Sequence, residues 1–315
     1  MVKKIILATI LLSLATTALG QKSTNKKPAP TGERVLWREP VDIESRDLLL
    51  GPGGEAMKPN LSRVTFIRDQ SGGYSTNYRV RDGAGKTWVA KLRAEAQPET
   101  AAVRLMWALG YMTEINYLVP CLKIVGAPSS SSKKCEGGGY ANVKLEARPD
   151  EVERLENWQW ANNPFTGTKE FQGMIVMMSL MNNWDLKDDN NRILFVPKGS
   201  GGGPELQYIL SDLGATFGKT GGFLSRSRNK PEDYVKAKFI EGVEGGRVKF
   251  SYSGKNSGLF SNVTVEQAKW IGSWLARLSD KQISDAFRAA NYTPEEVQML
   301  ATATRARINQ LVNLR

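Results

Sequence analysis

Two short polar segments contain the residue types best suited to chemistry in this chain. They are Asp-Leu-Lys-Asp-Asp-Asn at 185–190 and Ser-Asp-Leu-Gly at 211–214. Transfer of a phosphoryl group needs little covalent chemistry from a protein. It needs a carboxylate near the attacking hydroxyl, a cation beside the transferred group and oxygen ligands for Mg²⁺. The two segments together supply all of these, although a polar turn between a helix and a strand also favours Asp and Asn.

The composition of the chain removes several competing chemistries. The 315 residues include two cysteines and no histidine, which excludes a Ser-His-Asp triad, a Cys-His dyad and a His-ligated zinc site. A hydrolase that uses paired carboxylates, such as Asp185 and Asp212, stays open as a further alternative. The formal charge of +11 favours acidic partners such as nucleotide phosphates. The basic residues are scattered and not interleaved with aromatic residues, so nucleic acid is not an expected partner.

The N-terminus has the features of an export signal. Lys3 and Lys4 precede an apolar run, Ile5 to Ala15, that is too short to span a bilayer, and small residues lead to Gly20. We therefore predict a signal peptide over 1–20, cleaved near Gly20, and a flexible tether over 21–34. An uncleaved anchor is the alternative. The mature protein is expected in the periplasm or secreted, and not as an integral membrane protein.

Export also affects the interpretation of the two cysteines. Cys121 and Cys135 are separated by a polar stretch that includes Lys133 and Lys134. In an oxidising compartment such a pair is expected to form a disulfide that closes the loop between them. Two independent thiols are the alternative.

Strands dominate the first half of the predicted elements and helices the second half. The strands are predicted at 63–67, 77–80, 87–92, 119–125, 141–146, 192–196 and 207–210. The helices are predicted at 98–109, 170–182, 265–278, 280–290 and 294–314. A turn with Gly72 and Gly73 joins the first two strands. This order predicts an α+β fold with a small antiparallel β-rich lobe over 35–150 and a larger helical lobe over 151–315.

The order of these motifs resembles the protein-kinase-like superfamily in its atypical branches. These branches include the phosphoinositide kinases, the bacterial toxin-type serine kinases, and the secreted and spore-coat kinases. The resemblance covers about residues 63–215, and no single branch is assigned. It implies a two-lobed kinase-like fold that uses ATP with Mg²⁺ or Mn²⁺.

The resemblance implies a role for two residues near the start of the motif order. Lys91, in the third strand, matches the lysine that holds the α- and β-phosphates. Glu99, at the start of the following helix, matches its ion-pair partner, and Glu95 is a competing candidate. Backbone amides of the turn at Gly72 and Gly73 are expected to contact phosphate.

The two polar segments match the remaining site residues of the family. Asp185 matches the aspartate that orients the attacking hydroxyl and accepts its proton. Lys187 matches the lysine that neutralises charge on the γ-phosphate. Asn190 and Asp212 match the metal ligands, and the neighbours of Asn190 that could replace it are Asp188, Asp189 and Asn191.

Three departures from the family leave the activity open. Asn183 and Trp184 stand where His-Arg commonly precedes the catalytic aspartate, the glycine turn is short, and no Ala-Pro-Glu follows Asp212. Instead, residues 218–258 form a basic, glycine-rich stretch. This stretch would suit the binding of an acidic substrate, and a disordered surface loop is the alternative. Two functions are therefore carried forward. One is a Mg-ATP-dependent phosphotransferase with an unknown hydroxyl acceptor, and the other is a pseudokinase that binds a nucleotide, polyanion or protein without catalysis.

Overall fold

The structure is a computed structural model that describes residues 29–70 and 76–315. The predicted signal peptide, most of the predicted tether, and Gly72 and Gly73 lie outside the described residues. The strands are β1 Glu33–Val35, β2 Thr65–Asp69, β3 Asn77–Arg81, β4 Thr87–Lys91, β5 Asn116–Leu122, β6 Tyr140–Ala147, β7 Glu153–Arg154, β8 Asn191–Val196, β9 Glu205–Leu210, β10 Ile240–Glu244 and β11 Arg247–Phe250. The helices are α1 Ala96–Ala108, α2 Lys169–Leu180, α3 Pro231–Lys236, α4 Val265–Ala276, α5 Asp280–Arg288 and α6 Pro294–Val312. Short 3₁₀ helices lie at Ile43–Ser45, Asp188–Asn190 and Ser257–Asn262.

A five-stranded antiparallel sheet, in the order β2-β3-β4-β6-β5, forms the small lobe. Alternate side chains such as Tyr78, Val80, Trp88 and Ala90 point into its core, as the period of two in a strand requires. The sheet curls until its two edges meet. The amide of Phe66 donates to the carbonyl of Val125 at 2.9 Å, so neither edge strand is left open there.

The larger lobe is built mainly from helices α2, α4, α5 and α6. Its last three helices each begin at a capping box, at Thr264, Ser279 and Thr293, which satisfies amides that the helix itself leaves unpaired. Together with a second sheet, in the order β1-β9-β8-β7, they enclose one apolar core. The predicted α+β arrangement, with a small antiparallel lobe and a larger helical lobe, is confirmed.

The N-terminal segment of the described chain lies on the larger lobe. Strand β1 pairs in parallel with β9, and Ile43 and Leu48 are fully buried in the core of the larger lobe. Glu33 and Arg34, predicted to end the tether, are therefore part of a strand, and the residues from Val35 to Leu48 do not belong to the β-rich lobe. Strand β1 has three residues, which are too few for an alternation to be recognised in the sequence. It is a strand only because it pairs with the edge of β9.

The basic stretch at 218–258 also differs from a disordered surface loop. It contains the short helix α3 and the hairpin β10–β11, and Tyr234, Phe239 and Val248 are buried. The predicted disulfide between Cys121 and Cys135 is confirmed. Along the described residues, no helix is long and apolar enough to cross a bilayer.

Replacing Leu48 by alanine tests the packing of the N-terminal segment. Leu48 is fully buried, whereas its neighbour Leu49 is 50% exposed. Leu48→Ala should lower the free energy of unfolding by about 2–5 kcal/mol, because it removes buried methyl groups and leaves a cavity. Leu49→Ala is the matched control and should change it by less than about 0.5 kcal/mol. Urea unfolding measures both, and equal effects would contradict burial of the segment against the larger lobe.

Candidate active site

The side chain of Lys91 lies at the centre of the cleft between the two lobes. Lys91 ends β4, and its Nζ lies 2.9 Å from Oε2 of Glu99 on α1. The same Nζ lies 3.2 Å from Oδ2 of Asp212 and 3.5 Å from Oε2 of Glu95. Both candidate acids therefore contact Lys91, and Glu99 makes the shorter contact. Glu95 also pairs with Arg228.

Glu99 has a second partner that sequence reasoning missed. Its Oε1 accepts a hydrogen bond from Nζ of Lys144 at 2.6 Å, and Lys144 also pairs with Glu146 at 2.7 Å. Lys144 is fully buried in β6. The available signal was the alternate spacing of Lys144 and Glu146 in β6 and of Arg148 just after it, because alternate residues of a strand share a face.

These contacts continue as a chain of alternating charges, called here the ion-pair chain. Glu146 also pairs with Arg148. Arg148 lies 3.3 Å from Glu114, and Arg154 lies 2.6 Å from the other oxygen of Glu114. The ion-pair chain therefore runs through Asp212, Lys91, Glu99, Lys144, Glu146, Arg148, Glu114 and Arg154.

The ion-pair chain determines the protonation of its members. Burial alone lowers the pKa of Lys91, but the carboxylates of Glu99 and Asp212 outweigh it and raise that pKa above its usual value. Burial raises the pKa of Asp212, yet Lys91 and the amide of Gly214 hold it below its usual value. For Glu146, Arg148 and Lys144 overcome the burial effect and hold the pKa well below its usual range. Lys91 is therefore charged, and so are the carboxylates of Asp212 and Glu146 at neutral pH.

The segment 185–190 presents Asp185 beside a cation. Nζ of Lys187 lies 3.0 Å from Oδ2 of Asp185, and Nδ2 of Asn190 donates to the carbonyl of Asp185 at 2.6 Å. The backbone amide of Asp185 donates to Oδ1 of Asn183 at 3.1 Å. The hydroxyl of Tyr252 in turn donates to the carbonyl of Asn183 at 2.8 Å. Asn183 therefore anchors this loop.

Asn190 also joins this loop to the segment 211–214. Its carbonyl accepts the amides of Ser211 and Asp212 at 2.8 and 3.2 Å, and Oδ1 of Asp212 accepts the amide of Gly214 at 2.9 Å. The three residues that could replace Asn190 have other contacts. Asp188 accepts the amide of Trp160, Asp189 accepts a hydrogen bond from Asn157, and the buried Asn191 donates to the carbonyl of Trp158.

One cleft of about 320 Å³ is lined by Lys91, Glu99, Asn190 and Asp212. A larger cavity of about 830 Å³ lies between α6 and the segment around Phe239 and contains none of these residues. Asp185 and Lys187 do not line the cleft itself, although Asn190 connects Asp185 to it.

The donor atoms in the cleft suit Mg²⁺. Asp212 offers a carboxylate whose side chain is 40% exposed, and Asn190 keeps its amide oxygen after its Nδ2 has bonded to Asp185. Among the described residues, no group of three or more acidic, cysteine or histidine side chains could hold a metal ion without another ligand. Mg²⁺ is commonly held by one or two protein oxygens together with substrate phosphates and water, so the residues present fit that mode.

The chain has a two-lobed, kinase-like fold, and this site lies in the cleft between the two lobes. A buried lysine on the third strand of the small sheet pairs with an acid on the only helix between its strands in the described residues. Asp212, in the loop 211–214 of the larger lobe, contacts the same lysine. That is the arrangement of kinase sites.

Comparison with solved structures returns kinases at low identity. The proinflammatory kinase CtkA of Helicobacter pylori is 11% identical, with a TM-score of 0.46, over 79% of this chain and 95% of that chain. The Rio2 kinase of Chaetomium thermophilum, solved with ADP, Mg²⁺ and phosphoaspartate, is 13% identical, with a TM-score of 0.35, over 79% and 72%. A Golgi casein kinase is 12% identical, with a TM-score of 0.32, over 84% and 77%. The chain matches no family model and no curated protein.

Replacing Glu146 by glutamine tests the ion-pair chain through its pH dependence. The variant should lower the free energy of unfolding at pH 7 by about 3–5 kcal/mol, because it leaves Lys144 and Arg148 short of a buried partner. The pKa of Glu146 is depressed in the folded state. Its contribution is therefore present above the unfolded pKa of about 4.3 and is lost as the pH falls through the lower folded value.

The free energy difference between wild type and Glu146→Gln should therefore shrink as the pH falls below about 4. Urea unfolding between pH 3 and pH 7 measures it. Glu241→Gln is the control, since Glu241 is exposed on β10 and should have little effect at any pH. A difference that stays constant over this range would contradict a charged Glu146 in the folded protein.

Proposed function

We propose that this protein is an exported phosphotransferase that uses Mg-ATP and a hydroxyl acceptor. One observation carries the proposal. Nζ of Lys91 contacts Glu99 and Asp212 at 2.9 and 3.2 Å, which brings the strand lysine, the helix acid and the metal-loop carboxylate to one point. In kinases this lysine–glutamate pair and this aspartate must both be in place for catalysis.

The proposed roles follow from the charge and position of each group. Lys91 would hold the α- and β-phosphates, and Asn190 with Asp212 would hold Mg²⁺. The metal, when bound, would neutralise charge on the phosphate oxygens. The depressed pKa of Asp212 keeps its carboxylate ionised near neutral pH, as a metal ligand must be.

Asp185 would orient the acceptor and take its proton. As the acceptor oxygen forms its bond to the γ-phosphorus, the bond from that phosphorus to the β-phosphate oxygen breaks and ADP leaves. The hydroxyl proton passes to a carboxylate oxygen of Asp185. Lys187, at 3.0 Å from that carboxylate, is close enough to offset negative charge on the transferred group. A carboxylate is a modest base, so most of its effect would be positioning.

A binding module without catalysis is the second candidate function. It is favoured by Trp184, whose ring stacks with the guanidinium of Arg226 at 3.9 Å directly before Asp185. Export also favours it, because ATP is scarce outside the cytoplasm. The disulfide between Cys121 and Cys135 is compatible with an exported protein.

Thermal unfolding of the purified protein with ATP and Mg²⁺ or Mn²⁺ tests nucleotide binding. Ligand at ~100 times its dissociation constant should stabilise the protein by about 2.7 kcal/mol. Asp212→Asn should abolish the metal-dependent part of this shift, because it removes the carboxylate ligand. Asp280→Asn, at an exposed position of α5, should keep the whole shift. If Asp212→Asn kept the metal-dependent shift as Asp280→Asn does, that result would contradict a metal site at Asp212.

Catalysis is tested by transfer of radiolabelled phosphate to a panel of proteins, sugars and lipid headgroups. Asp185→Asn should lower the rate by about 10²–10⁴-fold while nucleotide binding is retained. A wild-type protein that binds Mg-ATP and yet transfers phosphate to none of these acceptors or to water would favour the binding module.

A further inference from the structure

The cleft beside Lys91 is almost entirely polar. Among the described residues that line it, Val89 is the one apolar side chain. Sites for the flat, uncharged part of a cofactor are usually lined by hydrophobic and aromatic groups. The lining of this cleft therefore fits charged groups better than a purine base.

Three guanidinium groups line this cleft away from the catalytic aspartate. Arg148 follows β6, Arg154 lies in β7 and Arg192 lies in β8. We call these three residues the arginine cluster. Arg148 and Arg154 also line an adjoining cavity of about 400 Å³, together with Arg79. The arginine cluster lies beside residues 148–153, the segment that connects the small lobe to the larger lobe.

Two members of the arginine cluster are already paired with carboxylates. Glu114 is shared between Arg148 and Arg154, and Glu146 is shared between Arg148 and Lys144. Arg192 donates to the carbonyl of Leu155 at 3.0 Å and forms no ion pair within the part of the chain that is described. Asp189 also lines the cleft and attracts Arg192 without a direct ion pair, and Nε of Arg192 is buried with no hydrogen-bond partner among the described residues.

The guanidinium groups of the arginine cluster repel one another. Burial and then repulsion from Arg154 lower the pKa of Arg192, attraction to Glu114 and Asp189 opposes this in part, and Arg148 adds to the repulsion. Burial and then Arg148 likewise lower the pKa of Arg79. Guanidinium groups stay charged in proteins, so the repulsion is not relieved by loss of a proton. An anion bound among them would relieve it.

We propose that the arginine cluster is a second oxyanion subsite of the cleft and takes a phosphate-type group. Guanidinium groups present a planar fork of N–H donors that matches phosphate oxygens. The subsite goes beyond the proposed function, because a pseudokinase would contain it as well. The phosphate could belong to the nucleotide or to a separate phosphorylated ligand, and probes with and without a base distinguish these sources.

Calorimetric titration in EDTA tests the subsite without the metal at Asp212. The probes are tripolyphosphate, ATP and adenosine. Tripolyphosphate is expected to bind and adenosine is not. Equal affinities for ATP and tripolyphosphate would show that the subsite recognises the phosphate chain alone. Tighter binding of ATP would show that the bound phosphate belongs to the nucleotide.

Arg192→Gln should weaken tripolyphosphate binding by about tenfold or more, the effect of one lost charge-assisted contact. Arg192→Lys keeps the charge but loses the planar fork of N–H donors. Its affinity for tripolyphosphate should therefore lie between those of Arg192→Gln and wild type. Arg247→Gln is the matched control, since it removes the same charge from an exposed position on β11. It should bind like wild type.

The unliganded Arg192→Gln variant should unfold at the same temperature as wild type or higher, because repulsion is removed. Asp212→Asn should not weaken tripolyphosphate binding in EDTA, although the proposed function requires it to abolish metal-dependent ATP binding. The two proposals can therefore fail separately.

Three outcomes would overturn the subsite. They are equal binding of tripolyphosphate by wild type and Arg192→Gln, equal weakening by Arg192→Gln and Arg247→Gln, and absence of metal-free binding by any phosphate probe. Adenosine binding that is lost in Arg192→Gln would also overturn it, because the guanidinium would then stack on a base.

Discussion

The carboxylate of Glu99 is shared by two buried lysines, and the geometry of the cleft depends on this sharing. The pairing of β4 with β6 places Lys91 directly opposite Lys144. Like charges opposite each other in a sheet are destabilising, and burial makes them costlier. Glu99 lies between them, with one oxygen 2.9 Å from Lys91 and the other 2.6 Å from Lys144. Helix α1 is therefore tied to the sheet at the point where the cleft begins.

The N-terminal segment holds the other end of the same helix. The indole of Trp37 donates to the carbonyl of Leu109 at 2.6 Å, just beyond the last turn of α1, and its ring packs edge-on against Trp270 of α4. The carbonyl of Ile43 accepts a hydrogen bond from Gln282 of α5 at 2.8 Å. The segment thus joins α1 to the larger lobe. A helix restrained at both ends keeps Glu99 near Lys91 without the help of a ligand.

Much of the fold follows from local patterns along the chain. Strand β3 alternates clearly, and Thr293 with Glu296 is a capping box that begins α6. The match of Lys91, Asp185 and Asp212 to kinase motifs needs only their order and the elements around them. The predictions of these strands and helices succeed because each depends on residues that are close in sequence. The segment 33–48 lacks any such pattern, and its strand exists only because β9 offers an edge to pair with.

The sequence by itself determined the order of elements, the α+β class and the disulfide partners, and it predicts which residues could handle phosphate. Periodicity, capping and motif spacing are properties of neighbouring residues, so they are visible before folding. Only the tertiary structure decided that Lys144 completes the pair of Lys91 and Glu99, and that Arg192 forms no direct ion pair with any described residue. Those outcomes depend on strand register and on charges brought together from β6, β7 and β8, because electrostatic partners are chosen by distance in space and not by distance along the chain.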